Sequence, residues 1–348
     1  MKKIWIFIAL FLLLPGRNFA QTKVKLACIG FYNLENLFDT INDPNKWDEE
    51  FLPNGAKHWT SNRYHIKIHN MAYAISRIGT DDVKTGPIIL GVAEVENRRV
   101  LEDLVAQPEI ANRHYQIVHF EGPDRRGIDV AMLFNPRYFR LLNARPYHVE
   151  LPNHHPTRDI LYVWGILDKT DTLHILVNHW PSRYGGQKRS EPLRDTAAAV
   201  DRRIVDSILK INPNAKIIFM GDLNDDPVDE SVVKYLGAKG RKKDLHPGDL
   251  FNPSYKLYKK GIGTLAYGDS WNLFDQIIVS QALLRADENK SYKFLAYKIY
   301  KKPFLLQKTG RFAGYPFRTF AGGEFLGGYS DHLPVYILLA KKVKTTKK

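Results

Sequence analysis

Apolar residues arrive in short bursts from one end of the chain to the other. Residues 24–32, 88–94, 115–120, 128–134, 160–167, 173–180, 216–221, 273–279 and 333–339 read as strands. Each is rich in Val, Ile, Phe or Tyr and is bounded by Gly, Pro, Asn or Asp. Elsewhere the apolar spacing changes to the helical period. Residues 61–78 place Ile68, Met71, Ala72, Ile75 and Ile78 on one face and stop at Gly79. Residues 97–107 carry Val100, Leu101, Leu104 and Val105 and end at Pro108, while 191–210 turn Leu193, Ala197, Val200, Ile204, Ile208 and Leu209 inward. Strands also follow one another in pairs with short turns. That mixture predicts an α/β sandwich of mixed sheets instead of a regular βαβ series. Residues 310–328, rich in Gly and aromatics without periodicity, read as a long loop.

Composition adds bounds. The 348 residues are 44% apolar and 25% charged, which excludes disordered and low-complexity classes. Lys2 and Lys3 precede an apolar run from Ile4 to Leu14, followed by Pro15-Gly16 and the small Ala20. This is the make-up of a secretory signal peptide, with cleavage expected between Ala20 and Gln21 and a secreted or periplasmic product. The run is too short for a spanning helix, which needs about 20 residues. Three domains of behaviour result: a leader over 1–20, one large domain over 21–340 and a solvated basic tail over 341–348. The formal charge of +14 counts Lys2, Lys3 and Arg17 of the leader and five lysines of the tail, so the body is only modestly basic. Cys28, the sole cysteine, rules out an internal disulfide, and its alternation with Val24 and Leu26 makes it a core residue.

Polar residues cluster where apolar strands end. Tyr32-Asn33-Leu34-Glu35 closes the first strand, and Val92-Ala93-Glu94-Val95-Glu96 closes the second. Asn178-His179-Trp180 ends a third, and Gly221-Asp222-Leu223-Asn224 a fourth. Phe274-Asp275-Gln276 and Ser330-Asp331-His332 open the last two. One strand-end acid is usually a turn residue. Taken together and in this order, the set resembles the DNase-I-like endonuclease/exonuclease/phosphatase superfamily over about residues 24–340. Gly-Asp-Leu-Asn and Ser-Asp-His are its most specific parts. One position departs: Ala93 stands where members commonly have Gln before the metal-binding Glu.

The resemblance implies a four-layer αββα sandwich of two mixed sheets flanked by helices. It assigns Asn33, Glu94 and Asp331 to a divalent metal and His179, Asp222, Asn224, Asp275 and His332 to catalysis. Oxygen donors of this kind suit Mg²⁺, accept Mn²⁺, and leave Ca²⁺ open as a structural extra. In the implied division of work, Asp275 fixes His332, Asp222 activates water and Asn224 contacts a phosphoryl oxygen. His179 approaches from the opposite side. Arg126, Arg158 and Arg183 are candidates for holding substrate phosphate, because an arginine fork binds it at two points.

The expected activity is metal-dependent phosphodiester hydrolysis, with nucleic acid as the expected substrate of an endonuclease that works as a monomer without a stable protein partner. A phosphatase or a phospholipid- or sphingomyelin-type phosphodiesterase keeps the chemistry and changes the substrate. An inactive polyanion-binding module is the remaining alternative, at odds with the full set of motif residues.

Overall fold

The computed structural model describes residues 23–152 and 154–343. The expected leader, its cleavage point and residues 344–348 of the expected tail lie outside the described residues. Along the chain come β1 (Lys23–Leu37), α1 (Ser61–Ile75), β2 (Pro87–Val95), α2 (Arg98–Val105), β3 (Gln116–His119), β4 (Asp129–Phe134), β5 (Phe139–Tyr147), β6 (Ile160–Leu167), β7 (Asp171–His179) and α3 (Gln187–Ile211). After them run β8 (Lys216–Asp222), the short β9 (Ala238–Lys239) and β10 (Leu250–Phe251), α4 (Tyr255–Tyr258), β11 (Leu265–Tyr267), β12 (Ser270–Asn272), β13 (Asp275–Ser280) and α5 (Gln281–Arg285). The series ends with β14 (Lys293–Ile299), a small hairpin of β15 (Phe320–Ala321) and β16 (Glu324–Phe325), and β17 (Val335–Val343).

Two large sheets result. The first has the order β14-β17-β1-β2-β4-β3 and the second β5-β6-β7-β8-β13-β10-β9. Both are mixed: β1–β2 and β7–β8 run parallel, whereas β1–β17, β2–β4 and β8–β13 run antiparallel.

Alternation along the strands sorts the apolar side chains into layers. Ala27, Ile29 and Phe31 of β1 point between the sheets, into one cluster with Ile175, Val177, Ile218 and Met220 of the second sheet. Cys28 and Tyr32 point the other way, into a cluster with Ile68, Met71 and Leu101 of α1 and α2. On the far side Leu176, Ile217 and Phe219 pack with Ala197, Val200, Ile204 and Ile208 of α3. Helix, sheet, sheet and helix therefore stack in the expected four layers, with Cys28 fully buried.

Three readings of the sequence need adjustment. β5 and β14 lie outside the expected strands; β5, at a sheet edge, is largely solvent-facing, whereas β14, at the edge of the other sheet, is half-buried and packs Phe294, Tyr297 and Ile299 against the layer between the sheets. The body does not stop at residue 340. Lys341, Lys342 and Val343 extend β17 and pair with Lys25, Val24 and Lys23. The hairpin β15–β16 interrupts what reads as an unstructured loop.

Candidate active site

Register in the second sheet lines up three predicted residues. His179 sits beside Asp222 across the parallel pair β7–β8, and Asp222 sits beside Asp275 across the antiparallel pair β8–β13. The glycine preceding Asp222 has a steric reason: a Cβ on Gly221 would lie 2.4 Å from the Asn178 carbonyl. Beyond the strand, the backbone N–H of Asn224 donates to Asp222 Oδ1 at 2.9 Å, and the Asn224 amide nitrogen donates to the Trp180 carbonyl at 3.0 Å. Asn224 adopts a left-handed φ of 49° to close this turn.

The first sheet supplies the facing groups. Its ladder is irregular after Ala93, and Glu94 takes φ +60°. A bulge of this kind re-aims a side chain. Glu94 accordingly receives the Asn33 amide nitrogen at 3.1 Å and the Asn36 N–H at 2.9 Å. Glu96, of the same strand parity in the sequence, instead receives the Asp39 N–H at 2.6 Å, outside the site. Asn33 also donates to Asp222 Oδ2 at 3.0 Å, so its amide ties the two sheets together. Its oxygen accepts from the Glu35 N–H at 2.8 Å. Ser330 docks the last motif: its hydroxyl donates to the Asn33 carbonyl and accepts from the His332 N–H.

His332 then faces the row. Its Nδ1 lies 2.7 Å from Asp275 Oδ2 and its Nε2 3.6 Å from Asp222 Oδ2. Burial works against its charge, but the carboxylates of Asp275 and Asp222 outweigh burial and hold the imidazolium well above the usual histidine range. His179 stands on the other side, with Nε2 3.7 Å from both Glu94 and Asp222. Burial, followed by the positive charges of Arg158, Arg126 and His332, drives its basicity well down. One histidine is thus charged and the other neutral. Asp222 between them is pushed up to about 6, chiefly by burial, with Asp275 and Glu94 adding repulsion against the pull of His332.

This arrangement matches a known group. The model of the endonuclease/exonuclease/phosphatase family matches residues 28–341. The chain belongs to that family. Its members are metal-dependent phosphoester hydrolases, and this chain is a hydrolase of that class. Among solved structures, ANGEL2, a 2′,3′-cyclic phosphatase, superposes with TM-score 0.55 at 13% identity, over 93% of this chain and 99% of that one. Humanized D. rerio TDP2 gives 0.52 at 15% identity, over 90% and 98%. An endonuclease/exonuclease/phosphatase family protein from Bacteroides thetaiotaomicron gives 0.51 at 15%, over 94% and 99%. At these identities the likeness is one of fold. None of the curated proteins matches the chain in sequence.

In this phosphoesterase, donor atoms from Glu94, His179 and Asp222 lie within 4.8 Å of one another. The same small volume holds the Asp275 carboxylate, which with Glu94 adds to the burial that raises Asp222. The carboxylates among them fit a hard divalent cation. Asn33 braces Glu94 with its nitrogen while its oxygen is engaged by backbone. Asp331 is turned to Arg318, 2.9 Å away.

The three predicted arginines part company. Arg158 is buried, with its nitrogens on the carbonyls of His179 and Trp180 and on Asp124 Oδ2. It braces the end of β7 and leaves no fork for substrate. Arg183 is likewise occupied by the Asn224 carbonyl, Gln187, Asp225, Asp226 and Asp229. Arg126 remains half exposed, near enough for its charge to act on His179. Arg318, in the segment 310–328 that reads as a long loop, is a site residue that no motif marks. Its side chain is half exposed and is held by Asp331 and, at 3.5 Å, by Glu35. Lys67, fully buried, ties that loop down through Thr319 Oγ1 and the Tyr329 carbonyl, both at 2.6 Å. No motif marks Lys67; its apolar helical setting conceals it.

Proposed function

We propose that the chain is a secreted or periplasmic phosphodiesterase that uses Mg²⁺, with Mn²⁺ as a substitute, to cleave nucleic acid internally. The observation that carries the chemistry is the pair of histidines flanking Asp222, His332 bonded to Asp275 and His179 on the other side. His332, pinned by Asp275, offers an N–H to a phosphoryl oxygen where negative charge builds up in the transition state. Asp222, with a proton affinity close to neutral, is suited to orient and deprotonate the attacking water. Asn224 keeps one amide hydrogen free beside it. Neutral His179 accepts or donates a hydrogen bond at the opposite face. Glu94 would hold the metal through its carboxylate, as suits a hard ion, and the metal when bound would polarise the phosphoryl group and stabilise the leaving oxygen. Arg126 and Arg318, half exposed though paired with acids, are suited to reach flanking phosphates of a polymer. A structure of D. rerio TDP2 with single-strand DNA product shares this fold at TM-score 0.50, which favours nucleic acid. The apolar leader supports export.

A panel of plasmid DNA, RNA, bis-nitrophenyl phosphate and phospholipid, each with Mg²⁺, Mn²⁺ or chelator, tests the reading. Metal-dependent nicking of plasmid is expected. Turnover confined to the lipid or to a monoester would replace the nuclease assignment. Absence of turnover on every substrate would leave a binding module.

A further inference from the structure

The first sheet carries a second group of metal-binding side chains, away from the catalytic row. β3 ends at His119 and β4 begins at Asp129, and the antiparallel register sets His119 opposite Ala131. Continued two residues past the last bonded pair, that register puts Glu121 opposite Asp129. His119 and Glu121 are two residues apart and so share a face. Two carboxylates facing across a ladder repel unless positive charge lies between them.

His119 holds its two acids only loosely: its Nε2 makes a long hydrogen bond of 3.3 Å to Asp129 Oδ2, and its other ring nitrogen, Nδ1, is 3.8 Å from Glu121 Oε1. Charge-assisted N–H···O bonds settle at about 2.7–2.9 Å. Ligands around a tetrahedral ion with bonds of about 2.0–2.1 Å stand about 3.3 Å apart. One donor atom from each of the three residues lies within 4.8 Å of the other two. The side chains of His119 and Asp129 are 2% and 4% exposed, while that of Glu121 is 60% exposed and free to close. Asp129 Oδ1 is held by the Gly122 N–H at 3.0 Å, the kind of outer contact that fixes a ligating carboxylate. The nearby Lys46 ammonium is committed to the carbonyls of Gly122 and Asp124.

We propose that His119, Glu121 and Asp129 bind a divalent transition ion of the Zn²⁺ class, with water completing its shell. One imidazole with two carboxylates selects such an ion over Mg²⁺ or Ca²⁺, which take oxygen. The ion clamps the two ends of the segment between β3 and β4. That segment carries Arg126, so occupancy also sets how firmly this arginine is held at the rim of the catalytic row. The inference does not depend on which phosphoester is cleaved.

The full chain with Zn²⁺ in excess Mg²⁺, measured by X-ray diffraction at the zinc absorption edge, locates the ion directly. An anomalous peak among the three side chains is expected, and its loss in His119→Ala. Because His119 is buried, Glu121→Gln serves as a second variant at an exposed position. Calorimetry with Zn²⁺, with Glu94→Gln in both arms to equalise the catalytic cluster, should show at least about tenfold weaker binding in the Glu121→Gln arm. No peak at this position with saturating Zn²⁺, or equal affinity in the two arms, overturns the proposal. Preference for Ca²⁺ over Zn²⁺ at the peak overturns it as well.

Discussion

His179 and His332 are both buried against Asp222, yet the same burial leaves one neutral and the other charged. The difference is the company each keeps: Asp275 lies 2.7 Å from His332, while Arg158 and Arg126 face His179. Removing the carboxylate therefore has a definite sign. Asp275→Asn lowers the proton affinity of His332, so the alkaline limb of kcat/KM against pH moves to lower pH. An unmoved limb would show that His332 does not act as the imidazolium. His332→Ala should lower kcat by about 10²–10⁴-fold, as expected for loss of a general acid or base. These residues were legible in the sequence because short motifs carry them. The contacts of Arg158 and Arg183 were not legible there, for a physical reason. An arginine's role depends on which acids the fold brings to it, and the partner of Arg158 is Asp124, 34 positions away.

Elements hold these residues through a few buried polar braces. Arg158→Met strips the end of β7 of its ties and leaves the buried Asp124 Oδ2 without its guanidinium. A loss of about 3–5 kcal/mol is expected, read from urea denaturation. A substrate-binding arginine would instead leave stability unchanged and raise KM. Helix α3 adds a second brace. Asp201 Oδ2 accepts from the Trp180 indole at 2.9 Å, and the Asn178 amide nitrogen reaches its two oxygens at 2.9 and 3.1 Å. Burial, against the pull of those two donors, holds the Asp201 carboxyl well above the usual range. The unfolded group titrates near about 3.9. Its stabilising contribution is therefore full below that pH and is lost as pH rises toward the folded value. Asp201→Asn should raise Tm near neutrality, by a margin that shrinks as pH falls to about 4. A margin independent of pH would exclude titration of Asp201 as its source. At this scale the sequence showed strands but not their faults. Period-two alternation gives Glu94 and Glu96 the same face; only the bulge at Glu94 separates them, and no residue type announces it. Edge strand β5 escaped because a solvent-facing edge needs no apolar signal.

For the whole molecule, the four layers follow from counting apolar bursts and helical faces, since two-sided strands must be covered on both sides. Sheet order did not follow, because pairing depends on which strands meet after collapse. Net charge was the weakest guide. Among the described residues much of the positive charge is matched in ion pairs, and the two half-exposed arginines at the site say more than the total. If nucleic acid is the substrate, log KM should rise steeply with log salt concentration. Arg126→Gln should reduce that slope by about one unit while weakening binding across all sequences alike. Salt-independent turnover on DNA would point to a small phosphoester.

β17 lies inside the first sheet, between β14 and β1. The earliest described strand to leave the ribosome must therefore wait for the latest. Until residues 335–343 emerge, β1 has one bare edge, and Ile337 and Leu339 are missing from the layer between the sheets. His332 and Asp331, just ahead of β17, also reach the site only at that stage. Closure of the sandwich and assembly of its chemistry thus become one late event, set by contacts spanning some three hundred residues, which makes folding slow. A nascent or truncated chain ending before Val335 should remain open to protease and inert toward phosphoesters, so this hydrolase is silent during its own synthesis.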